Sequence, residues 1–167
     1  MIGEVTLSSG KPASYYVDAR RALLRPAGFR AAGELIAAAA VRVGAEAVGG
    51  PVMAAIPLAC AAIAVPGGDG LVAFFVRKER KEHGLQRWVE GPVGSGTRCL
   101  VVEDTVTTGA STVAAIERMR EEGLEIAGGL CVVDRLAGGA AAIAEAAGAP
   151  FEALTTIDDL YPERPER

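Results

Sequence analysis

One stretch constrains the fold more than any other. From Arg98 to Thr112 the chain reads Arg-Cys-Leu-Val-Val-Glu-Asp-Thr-Val-Thr-Thr-Gly-Ala-Ser-Thr. Its apolar, β-rich half predicts a buried strand over Arg98–Asp104. A helix is predicted over Ala110–Glu122, with Val113, Ile116 and Met119 on one face, Glu117, Arg118, Glu121 and Glu122 facing outward, and Gly123 closing it. A strand that runs so directly into a helix puts the intervening loop at the carboxyl edge of a parallel sheet, where ligands sit. There the loop N–H groups, the helix N-terminus and the hydroxyls of Thr107, Thr108, Ser111 and Thr112 would converge on an anion, with Gly109 free to take positive φ. A phosphate meets that description. No G-x-x-x-x-G-K-[ST] or G-x-G-x-x-G run occurs, which removes the P-loop and dinucleotide readings.

The rest of the chain supports the same architecture. Glu4–Ser8 and Ser14–Asp18 cluster β-formers around the turn residues Ser9-Gly10-Lys11-Pro12 and predict a hairpin. Pro26–Val43 predicts a helix that starts on a proline and stops at Gly44. A short strand at Ala47–Gly49, a helix at Met53–Val65 with Pro57 near its start, and a strand at Leu71–Val76 come next. Beyond the central strand and helix lie a strand at Ile126–Asp134, an Ala-rich helix at Gly139–Ala147 and a strand at Phe151–Ile157. Strands alternating with helices imply an α/β fold with a parallel sheet and right-handed crossovers. Tyr161–Arg167 reads as a frayed tail.

Composition narrows the partners. With 167 residues, one compact domain is expected, and a net charge of −4 provides no global field for nucleic acid or an anionic membrane. Cys60, Cys99 and Cys131 are odd in number and widely spaced, which argues against a disulfide framework or zinc site and for buried filler in a reducing compartment. Ala47–Gly68 lacks charge, but its glycines and prolines exclude a spanning helix. No secretion signal is legible at Met1-Ile2-Gly3-Glu4, so a cytoplasmic location is expected.

Two features add chemistry to the anion loop. Glu103 and Asp104 would repel a phosphate unless hydroxyls or a cation lay between them, and a ribose phosphate carries such hydroxyls. The plainer alternative is a strand exit followed by a capping turn. Arg77–Glu90 has no amphipathic period and reads as a loop; Arg77, Lys78, Arg80 and Lys81 concentrate positive charge beside Glu79, Glu82 and His83. Such a run is often only a solvated face.

These residues also carry a resemblance. Val101-Val-Glu-Asp-Thr-Val-Thr-Thr-Gly109 resembles the phosphoribosyl-pyrophosphate (PRPP) signature of type I phosphoribosyltransferases. With Thr6-Leu-Ser-Ser-Gly10, Tyr15-Tyr-Val-Asp18, Arg77-Lys-Glu-Arg-Lys-Glu-His-Gly84 and Val133-Asp-Arg135, nearly the whole chain is similar to the orotate phosphoribosyltransferases. The resemblance implies a five-stranded parallel sheet flanked by helices, with an N-terminal hood over about 1–25 and a core over about 26–160. It also implies transfer of the phosphoribosyl group of PRPP to orotate, with Mg²⁺ carried by PRPP rather than by a side-chain cage.

By the same resemblance the PRPP site would comprise Glu103, Asp104, Thr105, Val106, Thr107, Thr108, Gly109, Ala110 and Ser111, joined by Arg77, Lys78, Lys81 and His83. Thr107 to Ser111 would hold the 5-phosphate, and Glu103 and Asp104 the ribose hydroxyls. Thr107 and Arg135 would meet orotate; the plainer and less favoured alternative for Arg135 is a surface salt bridge. Lys81, His83 and Asp104 would be the catalytic groups. The 77–90 loop would close over the neighbouring subunit of a homodimer and neutralise departing pyrophosphate. The sequence departs from many bacterial members, which carry lysine where Ser8 and Ala54 stand. It also starts near the hairpin, so a truncated start is an expectation. The Gly50-Pro51 turn would bind pyrophosphate through backbone N–H groups. A phosphoribosyltransferase for another base, or a PRPP-sensing regulator without catalysis, stays open.

Overall fold

The computed structural model describes residues 2–6, 12–80 and 87–164. A small antiparallel hairpin, β1 (Ile2–Thr6) and β2 (Pro12–Tyr15), forms its own sheet. The predicted hairpin is thus present, its strands lying earlier in the sequence than expected, while Ser9–Lys11 of its turn fall outside the described residues. A one-turn helix, α1 (Arg20–Leu23), leads to α2 (Pro26–Val43), which opens on proline and closes on Gly44 in the left-handed region, as its sequence demands.

The main sheet contains β3 (Ala47–Pro51), β4 (Val72–Val76), β5 (Val89–Glu90), β6 (Arg98–Val106), β7 (Glu125–Asp134) and β8 (Phe151–Thr156). Its six strands run in the order β5-β4-β3-β6-β7-β8. Five are parallel, as expected; the sixth, β5, is a two-residue antiparallel edge. So short a strand has no periodicity to detect and exists because the returning chain pairs with Phe75 and Val76. Helices α3 (Ala55–Ile63), α4 (Ala110–Glu121) and α5 (Gly139–Ala147) form the crossovers, and α6 (Ile157–Leu160) ends the core.

Alternation along β6 divides the core. Leu100 and Val102 pack with Ile36, Leu58 and Leu130 on one face, whereas Cys99 and Val101 pack with Phe74, Ile116, Met119 and Ile143 on the other. Each fully buried side chain of this kind contributes roughly 1.5–3 kcal/mol. The central strand is covered on both faces, so it reads as a continuous apolar run. Cys99 and Cys131 are the expected filler, their thiols pushed up to about 12 by burial. Cys60 is a correction: it sits exposed on the outer side of α3.

Two further expectations are revised. Strand β6 continues to Val106, because its pairing with β7 persists to Val106 and Asp134. The C-terminal stretch is docked rather than frayed through Arg164. Thr156 and Asp159 form a capping box that turns the chain at α6, after which Tyr161 meets Tyr15 edge-on at 5.8 Å and Arg164 pairs with Asp158. Among the described residues no helix is long and apolar enough to cross a membrane; Ala47–Gly68 is divided between β3 and α3.

Candidate active site

The central strand delivers its loop to the carboxyl edge of the sheet. Thr107 and Thr108 are exposed there, and Gly109 takes φ +76 at the head of α4, where no side chain caps the helix. First-turn amides of a helix lack intrahelical partners, so an anion placed here would find free N–H donors. The next loop braces it: the Arg135 amide donates to the Val106 carbonyl at 2.9 Å, and Gly139 N to the Thr107 carbonyl at 3.1 Å.

Not every predicted hydroxyl faces this mouth. Ser111 Oγ and Thr112 Oγ1 donate back to Glu103 Oε2, at 3.3 and 3.4 Å. Thr112 is buried, and its expected convergence on the anion is overturned because the buried Glu103 carboxylate needs donors. Consecutive strand residues point to opposite faces, which separates the acidic pair. Glu103 is engaged by α4, whereas Asp104 faces a cleft. Burial, with the Asp104 charge adding to it, pushes Glu103 up to about 7 against its hydrogen bonds. Asp104 is also raised by burial, opposed by the Thr105 amide bond and by the field of Arg20.

The cleft encloses about 700 Å³. Asp104 and Thr105 line it from β6, Lys78 from the chain after β4, Tyr16 and Arg20 from the segment after the hairpin, and Met53 and Ala54 from the chain before α3. Thr105 Oγ1 is buried with no partner among the described residues. Val106 is 2% exposed, so its side chain belongs to the core and only its backbone reaches the loop. The expected Gly50-Pro51 turn is a further correction. Both residues are buried in β3 beside Phe75 and Val76, and the turn itself falls at Val52–Ala54.

Of the cationic loop residues, Lys78 reaches the cleft. Arg77 does not: its Nε donates to the Glu79 carbonyl at 3.3 Å, and its Nη1 lies 3.6 Å from Glu90. Lys81 and His83, like Ser8, lie outside the described residues. The loop's flanks are held on α4 by Trp88, whose ring is stacked by Arg118 at 4.4 Å and Arg80 at 5.1 Å, while its Nε1 donates to Glu121 at 2.9 Å. Glu122 accepts from the amides of Trp88 and Val89. Arg135 stacks over Tyr15 at 5.0 Å, and its Nε is buried with no partner among the described residues. Beside it, Tyr15, Tyr16, Ile157 and Tyr161 line a smaller hollow of about 230 Å³.

Sequence reasoning passed over Arg20 and Trp88. Arg20 follows the Tyr-Tyr-Val-Asp run by two residues, and that proximity was its only signal. Trp88 is held on α4 by Arg118, Glu121 and Glu122, some thirty positions later, for which no local pattern exists.

A loop of hydroxyls and glycine opening α4, a carboxylate at the strand end and a cleft lined by the segment after a hairpin are the parts of a phosphoribosyltransferase. The profile of the phosphoribosyl transferase domain family matches residues 30–146. The orotate phosphoribosyltransferase of Corynebacterium glutamicum (strain R) is 48% identical over 158 residues, covering 95% of this chain and 85% of that one. That of Rhodopirellula baltica is 44% identical, covering 95% and 86%. The crystal structure of the Mycobacterium tuberculosis H37Rv enzyme in complex with PRPP superposes with a TM-score of 0.80 at 38% identity, covering 95% of this chain and 90% of that one. The chain belongs to the orotate phosphoribosyltransferase family.

Proposed function

We propose that this protein transfers the phosphoribosyl group of PRPP to orotate, giving orotidine 5′-monophosphate and pyrophosphate. The observation that carries this reading is the uncapped start of α4 beside Asp104, on a fold shared with enzymes of that name. The 5-phosphate lies against the amides of Gly109, Ala110 and Ser111 and the hydroxyls of Thr107 and Thr108, where the helix dipole favours negative charge. Asp104 accepts from the ribose hydroxyls, with Glu103 behind it bound to Ser111 and Thr112. Thr105, whose hydroxyl has no partner among the described residues, offers it to the same sugar.

The Arg135 fork, flattened on Tyr15 and with an Nε that has no partner among the described residues, suits the carboxylate or imide edge of orotate, and Thr107 touches the base. As the ribose carbon gains cation character, pyrophosphate takes up negative charge. Lys78, Lys81 and His83 neutralise it and exclude water. Arg77 assists only by leaving Glu90. The loop over 77–90 acts on the neighbouring subunit of a homodimer, and the enzyme works in the cytoplasm.

Among the described residues no three His, Cys, Asp or Glu side chains gather as a metal cage. Asp104, the carboxylate that lines the cleft, would be the side chain available to Mg²⁺ carried by PRPP, an ion that keeps most of its waters and substrate oxygens. Mg²⁺ would neutralise pyrophosphate as it leaves. Incubating the protein with PRPP, Mg²⁺ and orotate and following orotate absorbance tests the reading. Turnover of orotate but not of uracil, hypoxanthine or adenine is expected; no orotate turnover at high protein concentration would remove it.

A further inference from the structure

We propose that Arg20 is a further substrate-binding residue, whose guanidinium holds the diphosphate group of PRPP together with Lys78. This rests on the function proposed above. Among the described residues, three charged side chains line the cleft: Arg20, Lys78 and Asp104. If Asp104 is occupied by sugar hydroxyls, the two charged side chains left on an otherwise largely apolar lining are both cationic and suit a ligand bearing more than one negative charge.

The guanidinium is also set for the task. Its Nε donates to Asp18 Oδ1 at 2.9 Å and its Nη2 to the Tyr16 hydroxyl at 3.2 Å. Nη1 makes no hydrogen bond among the described residues. Two fixed donors orient the planar fork before a ligand arrives, so less rotamer freedom is lost on binding. The side chain is 52% exposed, so little desolvation opposes the contact. A diphosphate offers oxygens on adjacent groups, which a fork engages in parallel and an ammonium such as Lys78 meets only as a point charge. Orotate carries a single carboxylate, and Arg135, stacked on Tyr15, already presents a fork near the smaller hollow.

The test uses the whole chain with Arg20→Gln and Arg20→Lys. Pyrophosphate binding is measured by calorimetry with Mg²⁺ present, and KM is measured for PRPP and for orotate. For Arg20→Gln, pyrophosphate affinity should fall and the KM for PRPP rise by roughly tenfold or more, with the KM for orotate within about twofold. Arg20→Lys should fall between, since it keeps the charge and loses the fork. Pyrophosphate binding within about twofold of the unaltered protein, or an equal rise for orotate, overturns the proposal. Should Arg20→Gln fail to fold, Arg20→Lys decides by the same comparison. Absence of turnover in the unaltered protein would instead remove the proposed function, so the two failures are distinguishable.

Discussion

The amide of Gly139 donates to the carbonyl of Thr107, and the two backbones lie so close that a Cβ on Gly139 would stand 2.5 Å from that oxygen and 2.8 Å from Gly109 N. The loop proposed to hold phosphate is therefore shaped by the loop that follows Arg135. Gly139→Ala should displace the Thr107–Gly109 turn. An overpacking cost of about 1–3 kcal/mol is expected in denaturant unfolding, with a larger KM for PRPP than for the unaltered enzyme. Unchanged stability and KM would show that the turn adjusts freely.

Glu103 gives a pH dependence with a definite sign. Its pKa lies at about 7 in the fold against 4.5 for an ordinary glutamate, so the folded state binds the proton more tightly. The stability this contributes is complete below about 4.5 and is lost as pH rises through about 7, by a total on the order of 3 kcal/mol. In metal-free buffer, Glu103→Gln should flatten that fall between pH 5 and 8, read as the difference in Tm between the two proteins. Parallel Tm profiles would place the titration elsewhere.

Lys81 is expected to act on departing charge. Lys81→Ala should lower kcat by on the order of a hundredfold while the Tm stays put. If its loop serves the neighbouring subunit, mixing Lys81→Ala with Asp104→Asn and allowing subunits to exchange should restore roughly a quarter of the activity, because each mixed dimer regains one intact site. No recovery would confine the loop to its own subunit.

Trp88 is the single tryptophan of the chain, so its fluorescence reports the clamp on α4 directly. Trp88→Phe keeps a ring between Arg80 and Arg118 and loses the Nε1 bond to Glu121, at a cost of about 1 kcal/mol. Trp88→Ala loses the stacking as well and should cost about 3 kcal/mol in chemical unfolding. Equal costs for the two variants would mean that stacking contributes nothing.

The strongly periodic or continuously apolar elements were legible before any coordinates. The strand at 98, the helix from Pro26 and the helix from Ala110 each carry their own pattern and stop signal, so local physics suffices to find them. Edge strand β5 and the one-turn helices α1 and α6 were not legible, since segments of two to four residues hold no period and form through pairing or capping supplied by neighbours. The loop proposed to hold phosphate was visible as a strand running into hydroxyls, Gly109 and a helix. The direction of each hydroxyl was not.

Sequence alone determined the order of the longer strands and helices, the loop that opens α4 and the residue types gathered there, because these follow from side-chain period and backbone freedom within a dozen neighbours. Tertiary structure decided which carboxylate faces the cleft, why Thr112 turns inward, and how Arg20, Lys78 and Asp104 come to line one space. Those outcomes depend on pleat direction, burial and contacts between residues far apart in the chain, none of which a linear pattern encodes.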